Sequence, residues 1–410
     1  MLSLKTIYSS IFFGFLLIVY FSIFSGFGKK PPSEWVEREI EWNGRCGTES
    51  RIGVGQKNQG KSVKKIALMV TLTKSDHDMN CRTWDTYQRV AKISLEKFEK
   101  TNPTYSAEIV YFNDISDMDD RKVSEEKIKN AKAQGVLIVI GNPWSTLAAM
   151  DSEQANLHQI PYISPTAVVA SVHDSPWSIS LGVDVRKSAK GFPGFLKKIK
   201  RDKLFILECK EKIQEREYAD AVRKEVKNAR TIQFYDEISI DKVENEIKNH
   251  SDSVVFLPGY NHSHSIVSKL FKIFPNLVFI VSSHWTHDYT PLVQEFKNTF
   301  GLSLYAFSDF ISTDRPAAQF LQDAWAKSGG HPFAGGLRYS LFDTITLALH
   351  ALNDPKINTR EEAIFSIKNM GMHPDSSKTS IEIRNGNVIK PIYIAKWEQD
   401  RFVKIDEFIP

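Results

Sequence analysis

The sequence predicts an α/β protein with two parallel sheets, and two observations carry that expectation. The first is the stretch from Gly135 to Ala170. Val136–Ile140 is a continuous apolar, β-branched run, which reads as a strand buried on both faces. Gly141-Asn142 ends it, and Pro143 suits the first turn of a helix, where its missing N–H costs nothing. Leu147, Met150 and Gln154 continue at helical spacing, and a second short strand runs from Pro161 to Ser164. A strand, a helix and a strand within about thirty residues form a β-α-β unit, so the two strands lie parallel. The second observation is the regular alternation of strands and helices from Lys65 to Thr299. It falls into two successive runs of similar length, one sheet for each.

The chain starts apolar. Ile7 to Phe27 carries no charge, follows Lys5 and ends before Lys29-Lys30. A run of this length can span a bilayer, or serve as a signal peptide cut after Gly26 and Gly28. Both alternatives imply export, with residues 1–28 as signal peptide or anchor and the rest as a module outside the cytoplasm. Residues 29–62 are polar and Gly-bearing, and read as a spacer. They include Gly55-Gln-Lys-Asn-Gln-Gly-Lys-Ser62, a match to the phosphate-cradling G-x-x-x-x-G-K-[ST] pattern. That chemistry needs a strand before the loop and a helix after it. No convincing strand precedes it and the strand Lys65–Leu72 follows, so the stretch reads as a Gly/Lys-rich loop.

After Lys65–Leu72 comes a helix with Tyr87, Val90, Ala91, Ser94 and Phe98 on one face. Strand Ala107–Phe112 and helix Val123–Ala133 lead into the central unit, and Trp177–Val183 reads as a strand leaving it. The second run comprises helix Val185–Ile199, strand Lys203–Leu207, helix Gln214–Lys227 and strand Thr231–Tyr235. Helix Lys242–Asn249, strand Ser253–Leu257, helix His264–Ile273, strand Leu277–Val281 and helix Pro291–Thr299 complete it. Strand Leu304–Ile311 and helices Arg315–Ser328, Gly336–Leu352 and Thr359–Asn369 follow. Strands Thr379–Ile383 and Ile389–Trp397 flank Asn385-Gly386, a strong hairpin turn.

Composition narrows the function classes. At 410 residues, 42% hydrophobic and 25% charged, the chain has room for two domains with sizeable cores. The net charge of +4 is interspersed without a basic stripe, which argues against nucleic acid as a partner. Three cysteines make no disulfide scaffold. Cys46 and Cys81 are candidates for one disulfide in an oxidising compartment, and Cys209, after an apolar strand, reads as a buried free thiol. Asp76, His77 and Asp78 could ligate a metal, but without a second cluster at defined spacing they read as a solvated loop, and no metal or cofactor is expected. No G-x-S-x-G elbow or paired catalytic groups appear, so an enzyme is not expected.

Strand-end loops hold the candidate site, because open α/β sheets bind ligands at their carboxyl edges. Ser145, Thr146 and the N–H groups of their helix start offer hydrogen bonds to an anionic group. Trp144, Tyr260 and Trp285 lie on such loops and are candidates for a cleft wall, whereas Tyr162 and Trp177 read as structural.

IGNPWST, a helix and IPYISPTA together resemble the type I periplasmic solute-binding proteins, the branched-chain amino-acid binding proteins in particular, and receptor modules similar to them. The resemblance runs from about Lys65 to the C-terminus. It implies two Rossmann-like lobes joined by a three-segment hinge. Lobe 1 would comprise residues 63–181 and 311–372, and lobe 2 residues 182–310 and 373–410, with crossings near 180–184, 305–312 and 371–378. It also implies that Trp144, Ser145, Thr146, Thr166 and Ala167 hold a ligand carboxylate on lobe 1. Val168 stands where the family often has Thr. On lobe 2 it points to Tyr260, His284, Trp285 and Asp288, the last as the nearest acid for a ligand ammonium. The family's Asp-x-x-Tyr-Gly turn is not found at Glu208–Glu211. The function implied is that of a non-catalytic binding protein closing on an amino acid or related carboxylate, with an ABC importer permease as partner. The alternative is a membrane-anchored sensor ectodomain acting through a signalling partner.

Overall fold

The computed structural model describes residues 51–54, 62–72, 77–101, 103–115, 121–235, 239–259, 263–286, 296, 301–309, 316–330, 335–398 and 401–410. The chain divides into units of residues 1–46 and 47–410. The first lies outside the described residues, and with it the Ile7–Phe27 run and Cys46. The side chain of Cys81 and the loop 55–61 lie outside them as well. Among the described residues no helix is long and apolar enough to cross a membrane.

Sheet A has the order β1-β3-β2-β4-β5-β6, formed by Arg51–Val54, Ser106–Ile115, Val63–Leu72, Val136–Ile140, Tyr162–Ser164 and Ser178–Ser180. All its pairings are parallel except that of β1 with β3. A short strand therefore does precede the Gly55–Ser62 loop, four residues too few to stand out in the sequence. The element that follows is still a strand, β2, so the context needed to cradle a phosphate is absent.

Sheet B has the order β16-β15-β11-β10-β9-β7-β8. Its strands are β7 (Leu204–Cys209), β8 (Arg230–Phe234), β9 (Val254–Leu257), β10 (Val278–Val281), β11 (Ser303–Ser308), β15 (Ile392–Glu398) and β16 (Arg401–Phe408). The first five are parallel to one another, and the last two form an antiparallel hairpin added to β11. Both sheets are thus the cores of Rossmann-like lobes.

Helices α1 (His77–Glu99), α2 (Arg121–Ala133), α3 (Ser145–His158) and α4 (Ala170–His173) belong to the first lobe. Helices α5 (Val185–Ala189), α6 (Gly191–Lys198), α7 (Ile213–Glu225), α8 (Ile240–Ile247) and α9 (Ser263–Ile273) belong to the second. One expected helix, 185–199, is two: α5 ends at Ala189 and α6 begins at Gly191, with Asp184 capping α5 through Arg186 N–H. Helices α10 (Pro316–Lys327), α11 (Gly335–Ala351) and α12 (Arg360–Lys368) return to the first lobe. Tyr105 Oη donates to Leu349 O at 2.9 Å, and Arg360 Nε to Val136 O at 3.0 Å. A small sheet follows, of β12 (Gly371–Met372), β13 (Glu382–Arg384) and β14 (Asn387–Ile389). Its hairpin turns on Asn385-Gly386, both at positive φ, as the dipeptide predicts. The expected strand 389–397 breaks at Lys390-Pro391, because proline cannot donate to a ladder.

The second lobe buries both faces of its sheet. Phe205, Val255, Phe279 and Leu304 pack on one side. Phe192, Phe195, Phe256 and Phe307 pack on the other, with Phe192 edge-on to Phe256 and Phe307 at 4.8 and 4.7 Å. One face of sheet A carries Ala67, Met69, Val139 and Tyr162.

Gly182, on the passage between the lobes, lets the chain run close against the strand-end loop of the first. A Cβ there would lie 2.3 Å from Ala167 O and 2.5 Å from Thr166 O. Both atoms are backbone, so Gly182→Ala is expected to cost about 1–3 kcal/mol in denaturant unfolding; a variant as stable as the parent would show that the loop yields freely.

Candidate functional site

In each sheet the first of the parallel strands lies between the second and third, which puts the ligand crevice between first and third at their carboxyl ends. These are β2 and β4 in sheet A, and β7 and β9 in sheet B.

On the first lobe the crevice edge is fixed by a buried polar network. Gly141 makes room for Tyr162, whose Oη would lie 2.0 Å from a Cβ. Asp151, buried on α3, accepts from Asn142 Nδ2 at 2.8 Å, Ser124 Oγ at 2.6 Å and Tyr162 Oη at 3.3 Å. Burial raises its carboxyl above the usual range, against the pull of these donors. The network moors the start of α3 at the strand end.

The expected first-lobe residues come together here, in two roles. Ser145 Oγ is buried and accepts from Val168 N–H at 3.2 Å. Thr166 Oγ1 donates to Pro143 O at 2.5 Å. Ala167 is fully buried; its N–H donates to Ser164 Oγ at 3.1 Å and its carbonyl accepts from Ser180 Oγ at 2.5 Å. Ser145 and Thr166 hold the two loops together, and Ala167 ties its loop to β5 and β6. Trp144 occupies the N-cap position of α3 with 41% of its surface exposed, and Thr146 is exposed beside it.

On the second lobe Trp285 overturns its expected place. It is 0% exposed, its Nε1 donates to Gly259 O at 3.0 Å, and it belongs to the core with Phe279 and Phe296. The turn Ser283–Thr286 folds the indole under the strand ends instead of presenting it to the cleft. Tyr260, Asp288 and the side chain of His284 lie outside the described residues.

The start of α7 supplies what the sequence reading missed. Between the lobes is a narrow crevice lined by Val168, Val183, Gln214, Tyr218, Pro258 and Ser282 among others. Glu215 is 8% exposed, and its Oε2 accepts from Cys209 N–H at 3.0 Å. It stands where β7 and β9 part: a Cβ on Gly259 would lie 2.1 Å from its Oε1. Burial pushes the Glu215 carboxyl up to about 7. The signal was Glu215-x-x-Tyr218, an i, i+3 pair on one face of the helix after the strand. A larger surface groove, ≈ 1350 Å³ with open solvent, is lined by His350, Glu361, Phe365 and Met372, away from both carboxyl edges.

The lobes interlock at this place. Val168 of the first lobe sits in the core of the second, and Ile213 of the second packs against the core of the first. Cys209 Sγ donates to Tyr235 O at 2.9 Å, and burial pushes its thiol up, away from the reactive thiolate. Among the described residues no cluster of His, Cys, Asp and Glu is placed to hold a metal.

Two facing Rossmann-like lobes with the chain passing between them three times constitute the type I periplasmic binding protein fold. Solved structures place it further. The leucine-binding protein LivK of Thermotoga maritima superposes with a TM-score of 0.67 at 14% identity, covering 84% of this chain and 98% of that one. LivJ of Streptococcus pneumoniae, in complex with isoleucine, gives 0.67 at 16% identity, covering 85% and 100%. A solute-binding protein of Rhodopseudomonas palustris, in complex with p-hydroxybenzoic acid, gives 0.69 at 13%, covering 85% and 97%. At such identities the likeness is one of fold. No protein-family model and no curated protein sequence matches the chain.

Proposed function

We propose that the chain is a non-catalytic, extracytoplasmic solute-binding protein that closes two lobes on a small polar molecule, about the size of an amino acid, by bending at its hinge. The observation that carries this reading is the placement of both switch points at strand carboxyl edges, with Gln214 and Tyr218 of α7 and Val168 of the first lobe lining the crevice beside them. The structural neighbours bind isoleucine and p-hydroxybenzoic acid, which supports a ligand of this size. Delivery to an ABC importer permease follows from the same likeness, and the uncharged Ile7–Phe27 run favours export, as cleaved signal or as anchor.

Trp144 and Thr146 are the proposed first-lobe contacts, with buried Ser145 setting the loop that presents them. Ser145→Ala combined with Thr146→Ala is expected to weaken binding of the responding solute about tenfold, as loss of one or two hydrogen bonds does, while the protein stays folded. Isothermal titration measures it, and unchanged affinity would contradict the assignment.

A further inference from the structure

The larger groove of the first lobe collects donors that solute binding does not use. Met370 and Met372 flank Gly371, at φ 73°, where the chain turns from α12 into β12, and both line this groove. Met372 is 57% exposed. A thioether left at the surface adds little burial to the fold, and its soft sulfur stays accessible. His350, in the last turn of α11, lines the same groove. It is held from behind: Nε2 donates to Asp375 Oδ2 at 2.6 Å, and Lys97 Nζ holds the other carboxylate oxygen at 3.1 Å. An ionised carboxylate only accepts, so the proton sits on Nε2 and Nδ1 keeps its lone pair. Tying the far nitrogen of an imidazole to a carboxylate fixes the ring and raises the basicity of the near one, as metal-binding histidines require.

The surroundings favour a cation. Asp354, Glu361 and Glu362 line the groove against one lysine, Lys356, and Phe365 adds an aromatic ring that is 71% exposed. Two thioethers and an imidazole form a soft donor set, which suits copper(I), whereas magnesium, calcium and manganese take oxygen ligands.

We propose that Met370, Met372 and His350 form a binding site for a soft monovalent metal ion of the copper(I) class, with Asp375 as the positioning residue behind His350. The site stands apart from the interlobe crevice and does not depend on the solute-binding reading.

The test uses the purified full chain with its accessible thiols capped by iodoacetamide. It is titrated without oxygen against copper(I) bicinchoninate, whose colour reports the metal withdrawn. The parent should withdraw one copper(I) per chain, and Met370→Leu combined with Met372→Leu, which keeps the apolar volume, should withdraw none. Asp375→Asn should weaken uptake about tenfold, and Asp375→Glu should restore most of it. In the parent labelled with 13C-methyl methionine, silver(I) should shift the methyl signals of Met370 and Met372, those missing from the double variant. A parent that withdraws no copper, a double variant that withdraws as much as the parent, or silver that moves neither methyl signal would overturn the site. Asp375→Asn with parent affinity would overturn the role of Asp375.

Discussion

Asp309→Asn is expected to destabilise the protein by about 3–5 kcal/mol, the usual cost of stripping a buried charge of its partner. Asp309 closes β11, at the point where the chain leaves sheet B for the first lobe. Its Oδ2 accepts from Lys390 Nζ at 2.5 Å and Lys378 Nζ at 3.1 Å, and the three residues are 3%, 5% and 6% exposed. Lys390 also donates to Leu181 O, on the first passage between the lobes. One carboxylate therefore ties together all three segments that run between the sheets. Burial lowers the Lys390 pKa, with Asp309 acting against that loss. Asp343, on α11, steadies the same place by accepting from Ser377 N–H at 2.5 Å and Lys378 N–H at 3.2 Å. Replacing the whole cluster (Asp309→Asn with Lys378→Met and Lys390→Met) should recover most of the loss, because the penalty comes from unpaired charge. Guanidinium unfolding measures both, and a loss below about 1 kcal/mol in Asp309→Asn would show that the lysines find other compensation.

Glu215→Gln should make the protein more stable by about 3 kcal/mol at pH 8 and leave it nearly unchanged at pH 4.5. The folded-state pKa is raised from 4.5 to about 7. Between those values the folded protein binds more protons than the unfolded chain, so the contribution of Glu215 to stability falls as pH rises through the window. Glutamine can still accept from Cys209 N–H and carries no charge to desolvate. His173 works in the opposite direction: burial lowers its pKa to about 4, so stability falls as pH drops below 6.5. Both proteins share that slope, and the difference between their curves isolates Glu215. Chemical denaturation at intervals from pH 4.5 to 8 is the measurement. Parallel curves would mean that Glu215 is ionised without penalty, open to water.

Much of this architecture is legible in the sequence because burial leaves a mark. Val136–Ile140 and Val254–Leu257 are apolar throughout since both faces of each strand are covered. β16 escaped notice because it is an edge strand with charged residues on its open face. The hinge was hidden for a related reason: Lys378 and Lys390 are of a residue type that is almost always exposed, and only the fold brings Asp309 between them. The site was legible by loop and not by side chain. The loops carrying Ser145 and Thr166 do meet, but a strand-end position cannot say which way a ring turns, and Trp285 turns inward. Tyr218 is not legible as a site residue because it lies two turns past the end of β7, and only the course of α7 brings it back to the cleft.

The claim that two lobes enclose a small solute is tested most directly by a thermal-shift screen of the full chain. The panel should hold amino acids, their amides, small amines, organic acids and nucleotides at millimolar concentration. A solute present at a hundred times its Kd stabilises the folded state by about 2.7 kcal/mol. For a chain of this size that raises Tm by about 2–4 °C. The expected result is such a rise with one chemical class of amino-acid-sized solutes, lost on changing Ser145 and Thr146. A cooperative melt that no amino acid, amide, amine or organic acid displaces would contradict the solute-binding account and favour an ectodomain whose cleft meets a protein.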